Sequence, residues 1–366
     1  MKHAAAIAHF RQLCCLNLDS QTLMPTVLQT LHDLVGSDSN GFYWSAQPGR
    51  ITNVYSEEPM ARDISALFFD EFLNNRKRPD AAIHIGNLMR PGQLVGNNAR
   101  LFPAAFYESD NYNLIWRPLR RKWLLWAMLH DQHGNTHTVS LRRLNGETPF
   151  SLQDEQRLAQ LVPYFTHALN ASVQTSDEFI DHGESGLIVM DQQSKIRYQS
   201  EEGQRLLLLA AHPVISSGSV NWGTYGDLPV QLRQLCARLN AIYAGQSATP
   251  PLDVIENRWG KFVFRAHYLS GTGNDDSLFG ITIQRHVPLA LKLMASMRAL
   301  NLSVRQKDVC LLLAKGKSHS AIALQLEVSP TTIVDHVQKI YDKLGVRSHN
   351  ALMIRLSKNE TRQLRH

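Results

Sequence analysis

The chain has 366 residues, and at about 150 residues per domain that length predicts two or three folded units. With 43% hydrophobic residues, 19% charged residues and 4 Cys, the composition excludes a disordered, collagen-like or disulfide-dense protein. The formal net charge is +6, which takes on meaning only when divided along the chain.

Residues 288–366 hold 13 Lys+Arg against 5 Asp+Glu, a net of +8, leaving 25 against 27 for residues 1–287. A near-neutral body followed by a basic tail points to a C-terminal module that binds a polyanion. Apolar runs such as Trp123 to Leu129 and Leu206 to Ala211 fall far short of the roughly 20 residues of a bilayer span. The opening Met1 to Ala8 is interrupted by His9 and Arg11 before a secretory core develops, so no signal and no membrane partner are expected, and a cytoplasmic location is. Cys14, Cys15, Cys236 and Cys310 show no CxxC spacing and no His cluster, so reduced thiols are expected and no metal site.

In chain order, Thr22 to Leu34 reads as an amphipathic helix, with Leu23, Val27, Leu31 and Leu34 on one face and Gly36 as its stop. Strands are expected at Gly41 to Ser45 and Ile51 to Tyr55, joined through Pro48-Gly49. Trp123 to His130 and Thr136 to Arg142 form a hairpin with a five-residue loop, and Ser151 with Asp154 opens a helix through Leu158, Leu161, Val162, Phe165 and Leu169. A second segment then brings strands at Gly186 to Asp191 and Lys195 to Gln199 and helices at Glu201 to Ala210 and Pro229 to Tyr243. It ends with strands at Leu252 to Glu256, Lys261 to Leu269 and Leu278 to His286, the last two flanking a loop at Gly271 to Asp276.

Element order makes the first segment similar to a GAF domain and the second similar to a PAS domain. Each resemblance implies a central antiparallel sheet with helices against it and a small-molecule pocket. Phe106, Tyr112, Trp116, Trp123 and Trp126 are the candidate pocket residues, and Trp222, Tyr225 and Trp259 cluster in the second segment. The expected boundaries are 1–175, 176–287, a linker helix over 288–301 carrying Leu291, Met294, Met297 and Leu300, and a last domain over 302–366.

The tail is the most specific part of the sequence. Ser303 and Gln306 form a capping box before Val309, Leu312 and Leu313, with Gly316 as the stop. Ser318 caps a short helix bearing Ile322 and Leu326, Glu327-Val328 is a turn, and Ser329-Pro330 opens a longer helix to Leu344 and Gly345. Ser348 caps a fourth, Asn350 to Ser357. This is a helix-turn-helix. Residues 302 to about 357, from Leu302-Ser303 through Gly316, Ile322-Ala323, Val328-Ser329, Thr332-Ile333, His336-Val337 and Lys343-Leu344-Gly345-Val346, resemble the LuxR/GerE-type DNA-binding domain.

At 100° per residue, Ile333, Val337, Ile340 and Leu344 share the core face of the long helix. The opposite side presents Thr331, Val334, Asp335 and Gln338 as candidates for base edges. Lys315, Lys317, Thr332, His336, Lys339, Lys343 and Arg347 are candidates for phosphates. By resemblance, the fourth helix pairs two domains, which makes Leu352, Met353 and Leu356 the dimerisation candidates and a homodimer on an inverted repeat the expected state. The family often has a base-reading Lys where this chain has Val334. Asp335 is a second departure, so no family operator carries over.

Three decoys are set aside. Gly316-Lys317-Ser318 lacks the earlier Gly of a phosphate loop; His130, His133 and His137 are expected as solvated loop residues; Cys14-Cys15 is expected to be buried or inert. The Trp, Tyr and Asp arrangement of the family's acyl-homoserine-lactone sensors is not found in residues 1–170, and the acidic pair, Asp and late Lys of its receiver-domain members find no match, so phosphorylation control is not expected. No catalytic constellation and no cofactor site is found, so a signalling enzyme is not expected. The expected fold class is thus α+β multidomain: two antiparallel-sheet sensor domains followed by an all-α four-helix LuxR-type helix-turn-helix. The expected function is a DNA-binding regulator responding to a small-molecule effector, and a ligand-independent architectural DNA-binding protein is the rival.

Overall fold

Helix α1 spans Lys2–Cys14 and α2 spans Ser20–Leu34, the latter capped by Asp19, whose carboxylate accepts from the Gln21 N–H at 2.8 Å. The structure, a computed structural model, describes residues 2–47, 50–58, 67–73, 75, 77, 88–171, 178–216, 228–269 and 278–357. The expected Pro48-Gly49 turn, the Gly271 to Asp276 loop, Trp222 and Tyr225 lie outside the described residues. Helix α1 went unread in the sequence. Its Phe10, Leu13 and Cys14 are fully buried, and Phe10 packs edge-on to Phe165 at 5.0 Å.

The first sheet contains β1 (Ser39–Gln47), β2 (Arg50–Ser56), β3 (Val95–Asn97), β4 (Arg121–His130) and β5 (Thr136–Leu144). Its order is β2-β1-β5-β4-β3, antiparallel throughout, with Phe42 opposite Val139 and Leu125 opposite Leu141. Helix α3 (Leu152–Asn170) begins at the Ser151 and Asp154 capping box and lays Leu158, Leu161 and Phe165 against the inner face. The second sheet contains β6 (Phe179–Met190), β7 (Ile196–Gln199), β8 (Leu252–Asn257), β9 (Gly260–Leu269) and β10 (Leu278–Pro288) in the order β7-β6-β10-β9-β8. Helices α4 (Glu201–Ala211) and α5 (Leu228–Tyr243) accompany it. Gly203 of α4 sits so close to Gly186 of β6 that a Cβ on Gly186 would come within 2.3 Å of the Gly203 Cα, so both glycines are required for the helix to lie on the strand.

The two sheet-bearing segments share one hydrophobic core that also runs into the C-terminal helices. Trp259 stands edge-on to Trp44 at 5.7 Å and lies against Tyr55 at 6.0 Å. A buried ionic knot closes the seam. Arg285 donates to Glu184 at 3.1 Å, to the Trp259 carbonyl at 2.7 Å and to the Thr22 carbonyl at 3.3 Å, while Arg205 reaches Glu184 at 3.1 Å and the Tyr55 hydroxyl at 2.9 Å. Burial alone would raise the Glu184 carboxyl, but the two guanidiniums hold it well below the usual range. Burial pushes the Tyr55 phenol up to about 12.

Helix α6 is shorter than the expected linker, spanning Leu289–Ser296 and ending at Met297. Four consecutive residues, Leu291, Lys292, Leu293 and Met294, are buried, and Lys292 donates to the His182 carbonyl at 3.0 Å. A helix covered all round is a core helix rather than an exposed lever. Met297 is also buried, but Leu300 lies beyond the helix in a turn where the Leu302 N–H meets its carbonyl at 2.8 Å. The C-terminal bundle follows: α7 (Val304–Ala314), α8 (His319–Gln325), α9 (Pro330–Leu344) and α10 (His349–Ser357). Among the described residues no helix is long and apolar enough to cross a membrane.

Candidate nucleic-acid interface

Each helix of the bundle starts and stops where local chemistry dictates. The Ser303 hydroxyl accepts from the Gln306 N–H at 3.3 Å, and the Gln306 side chain returns the bond by accepting from the Ser303 N–H at 2.9 Å. At the other end of α7, the Lys317 N–H reaches the Leu312 carbonyl at 3.2 Å and the Gly316 N–H reaches Leu313 at 2.9 Å, with Gly316 at φ 71. That is a Schellman stop, so Gly316-Lys317-Ser318 ends one helix and caps the next instead of cradling a phosphate. The Ser318 hydroxyl accepts from the Ala321 N–H at 3.3 Å to start α8. Between α8 and α9 the turn residue Glu327 takes φ 54, the Val328 N–H returns to the Ala323 carbonyl at 3.0 Å, and Arg305 of α7 donates to the Leu326 carbonyl. Arg305 has no signal in the sequence, because its role depends on α7 lying beside that turn.

Ser329 caps α9 by accepting from the Thr332 N–H at 3.1 Å, Pro330 occupies the first turn, and Gly345 at φ 66 ends the helix. Ile333, Val337 and Ile340 are buried and Leu344 packs partly buried against the same core. On the other side Thr331, Val334, Asp335 and Gln338 are exposed, with no other element of the described chain covering them. Gln338 donates to Asp342 at 2.9 Å along the same stripe. Of the phosphate candidates, Lys315, Lys317, Lys339, Lys343 and Arg347 are exposed, while Thr332 and His336 are half-buried. Lys343 also donates to Gln306 at 3.0 Å, tying α9 to the start of α7.

The dimerisation candidates all sit on α10. Leu352 and Leu356 are fully buried inside this chain, where α10 packs against α6 and α9, and Met353 is half-buried. Residues four apart share one helical face, and that face is taken up by the chain's own core. The apolar residue α10 exposes most is Ile354, at 54%.

The module is held to the body from behind. Gln12 of α1 donates to the Val304 carbonyl at 2.9 Å and to Asp308 at 2.7 Å, and Lys307 donates to Nδ1 of the buried His9 at 3.3 Å. Burial, then the Lys307 and Arg298 charges, push the His9 imidazole down to about 3. Arg298 also pairs with Asp33 of α2.

The aromatic candidates divide by strand parity. Trp116 and Trp126, with Phe106 and Tyr112 against them, belong to a second apolar cluster on the outer face of the first sheet, with Phe106 edge-on to Trp116 at 5.2 Å. Trp123 does not join them. Three residues from Trp126, it points to the opposite face, where its indole N–H donates to the Glu147 carbonyl at 2.8 Å. The Trp126 ring lies over Gly96, where a Cβ would come within 2.2 Å of the ring, and its N–H meets the Met89 sulfur at 3.0 Å. Sequence reasoning missed a small cleft of about 30 Å³, room for a water, between β2 and α4, lined by Tyr55, Glu58, Gln204, Arg205, Leu208 and Ile215 among others.

His137 is not the solvated loop residue expected. It is buried, its Nδ1 accepts from the Ser45 N–H at 3.1 Å, and its Nε2 faces Asp131 at 3.2 Å. Among the described residues no group of three His, Cys, Asp or Glu side chains could hold a metal. All four cysteines are free. Cys14 is buried but Cys15 is exposed, and burial raises both thiols, so neither is a reactive thiolate at neutral pH.

Residues 300–356 match the family described as bacterial regulatory proteins, luxR family. Fifty residues are 46% identical to a probable transcriptional regulatory protein NarL of Mycobacterium tuberculosis, found in two strains. That match covers 14% of this chain and 23% of the relative, so the likeness spans under a quarter of the relative's length. Among solved structures, a Vibrio cholerae VqmA dimer is 16% identical, covers 47% of this chain and 80% of that one, and has a TM-score of 0.19. A phage VqmA–DPO complex is 17% identical, with coverage of 55% and 87% and a TM-score of 0.18. The C-terminal module is therefore a LuxR-type helix-turn-helix of the class found in DNA-binding transcriptional regulators.

Proposed function

We propose that the whole chain is a sequence-specific transcriptional regulator that works in the cytoplasm as a homodimer on double-stranded DNA. One observation carries this reading: the face of α9 opposite its buried Ile333, Val337 and Ile340 is exposed, within a net-basic C-terminal tail. Thr331, Val334, Asp335 and Gln338 would meet base edges, and Lys315, Lys317, Thr332, His336, Lys339, Lys343 and Arg347 the flanking phosphates. With Leu352 and Leu356 occupied inside the chain, Met353 and Ile354 would carry the pairing surface of α10.

Residues 1–175 and 176–287 would act as GAF-like and PAS-like sensor segments, followed by the connection at 288–301 and the DNA-binding domain at 302–366. Two five-stranded antiparallel sheets with helices against them support that reading, as does the aromatic cluster around Trp126. An effector binding to the body would shift the equilibrium between arrangements of the module through the α1 and α6 contacts.

Binding of the full chain to labelled duplexes across a salt series tests the DNA reading. A dimer neutralising roughly 6 to 10 phosphates loses about 10³ to 10⁵ in affinity between 50 and 200 mM salt, and a flat response would refute it. Thermal stability across a metabolite panel separates the sensor from an architectural DNA-binding protein, because a ligand at about 100 times its dissociation constant adds about 2.7 kcal/mol.

A further inference from the structure

We propose that Val334 and Asp335 read the pyrimidine strand of the half-site: the Asp335 carboxylate accepts from the amino group of a cytosine, and the Val334 methyls pack on the C5-methyl of a neighbouring thymine. This rests on the DNA-binding reading above and specifies which base chemistry the helix selects. The exposed stripe of α9 carries Thr331, Asp335, Gln338 and Asp342, with Val334 beside it at 50% exposure. None of these five is a cation; Lys339, exposed on the other flank of the stripe and in the C-terminal half of the helix, faces the phosphates in this reading, so the stripe itself lacks the Arg or Lys that usually grips guanine O6 and N7.

A carboxylate entering the major groove lies between two rows of phosphates, and leaving it unpaired there forfeits its hydration for nothing. It is tolerated only where a base donor meets it. The major groove offers two such donors, the cytosine N4 amino group and the adenine N6 amino group. Adenine sets its N7 acceptor beside that amino group, facing the carboxylate with a second lone pair, whereas cytosine has only a C–H there. Cytosine is therefore the better partner. Val334, one residue earlier and about 100° around the helix, can satisfy no polar edge, and the apolar feature of the major groove is the thymine methyl. Gln338 is already tied to Asp342 at 2.9 Å, which leaves Asp335 as the unencumbered acceptor at the centre of the stripe.

The test is selection of bound duplexes from a random library by the full chain, repeated with Asp335→Asn and Val334→Ala, both at exposed positions where folding is not at stake. The wild type is expected to enrich half-sites with a cytosine and an adjoining thymine on one strand. Asp335→Asn should move the cytosine position to adenine, since an amide pairs with adenine N6 and N7, with about ten-fold or more loss on the original site. Replacing the thymine with deoxyuridine should weaken wild-type binding about four-fold, the worth of one buried methyl, and leave Val334→Ala unaffected. An enriched half-site that Asp335→Asn leaves unchanged, or a wild type indifferent to deoxyuridine, overturns the inference while DNA binding stands. Failure of the wild type to bind any duplex overturns the DNA-binding reading itself.

Discussion

Ser329 shows how much of the interface is decided by neighbours in sequence. Its hydroxyl accepts from the Thr332 N–H at 3.1 Å and meets the Thr332 hydroxyl at 2.8 Å, so the first turn of α9 is held without any tertiary help. Ser329→Ala is expected to cost about 1 kcal/mol, read from urea denaturation, and to weaken DNA binding through fraying of Thr331 and Thr332. Such caps are legible in sequence because donor and acceptor lie three residues apart. His137 and Trp123 were misplaced for a different reason. Their strand parity was available, since His137 shares a face with the buried Val139 and Leu141, and Trp123 with the buried Leu125 and Ala127. Residue type suggested solvent for one and a pocket for the other, and parity prevailed because a strand cannot turn alternate side chains to the same face.

At the scale of elements, α1 is the clearest departure from the sequence reading. Its charged start and short apolar stretch form no strongly amphipathic stripe, yet it lies against α2, α3, α6 and α7 at once. The contact with α7 has a pH dependence whose sign follows from His9. Its folded-state pKa is lowered from 6.5 to about 3, so the unfolded chain takes up the proton first. The stability that His9 contributes is complete above about pH 6.5 and is lost as pH falls from there toward 3. Protonation would set a cation against the Lys307 ammonium and near Arg298 in a buried seam. His9→Gln, which keeps a polar group but does not titrate, is expected to flatten stability between pH 6.5 and 4. Urea midpoints of wild type and variant, followed across that range, check it; parallel curves would show that another group sets the acid limit.

For the whole molecule, the seam between the two sheets predicts cooperative unfolding. Arg285 is fully buried and joins β10 to Glu184 of β6, to Trp259 and to Thr22 of α2. Arg285→Met is expected to destabilise the chain by about 3 to 5 kcal/mol, because Glu184 keeps only part of its compensation and two buried carbonyls lose their donor. Denaturation followed at tryptophan and by circular dichroism should then separate into two transitions; a single coincident transition with an unchanged midpoint would show that Arg285 does not couple the segments.

What the sequence determined by itself was the set of elements it could specify locally: the caps, the Gly stops, the hairpin, the alternation of the strands, and above all α7 to α10. The starts and stops of those four helices are set by contacts within some 57 residues, and their capping and periodicity agree with one another. Only the tertiary structure decided which faces remain open. It buried Leu352 and Leu356 inside the chain, shortened the expected linker into a core helix, brought α1 to the back of the DNA-binding module and left the front of α9 exposed. The reason is distance along the chain. The deciding bonds join Gln12 to Asp308 and Arg285 to Thr22, partners 296 and 263 residues apart, and no local period or cap encodes which distant surface will cover a given face.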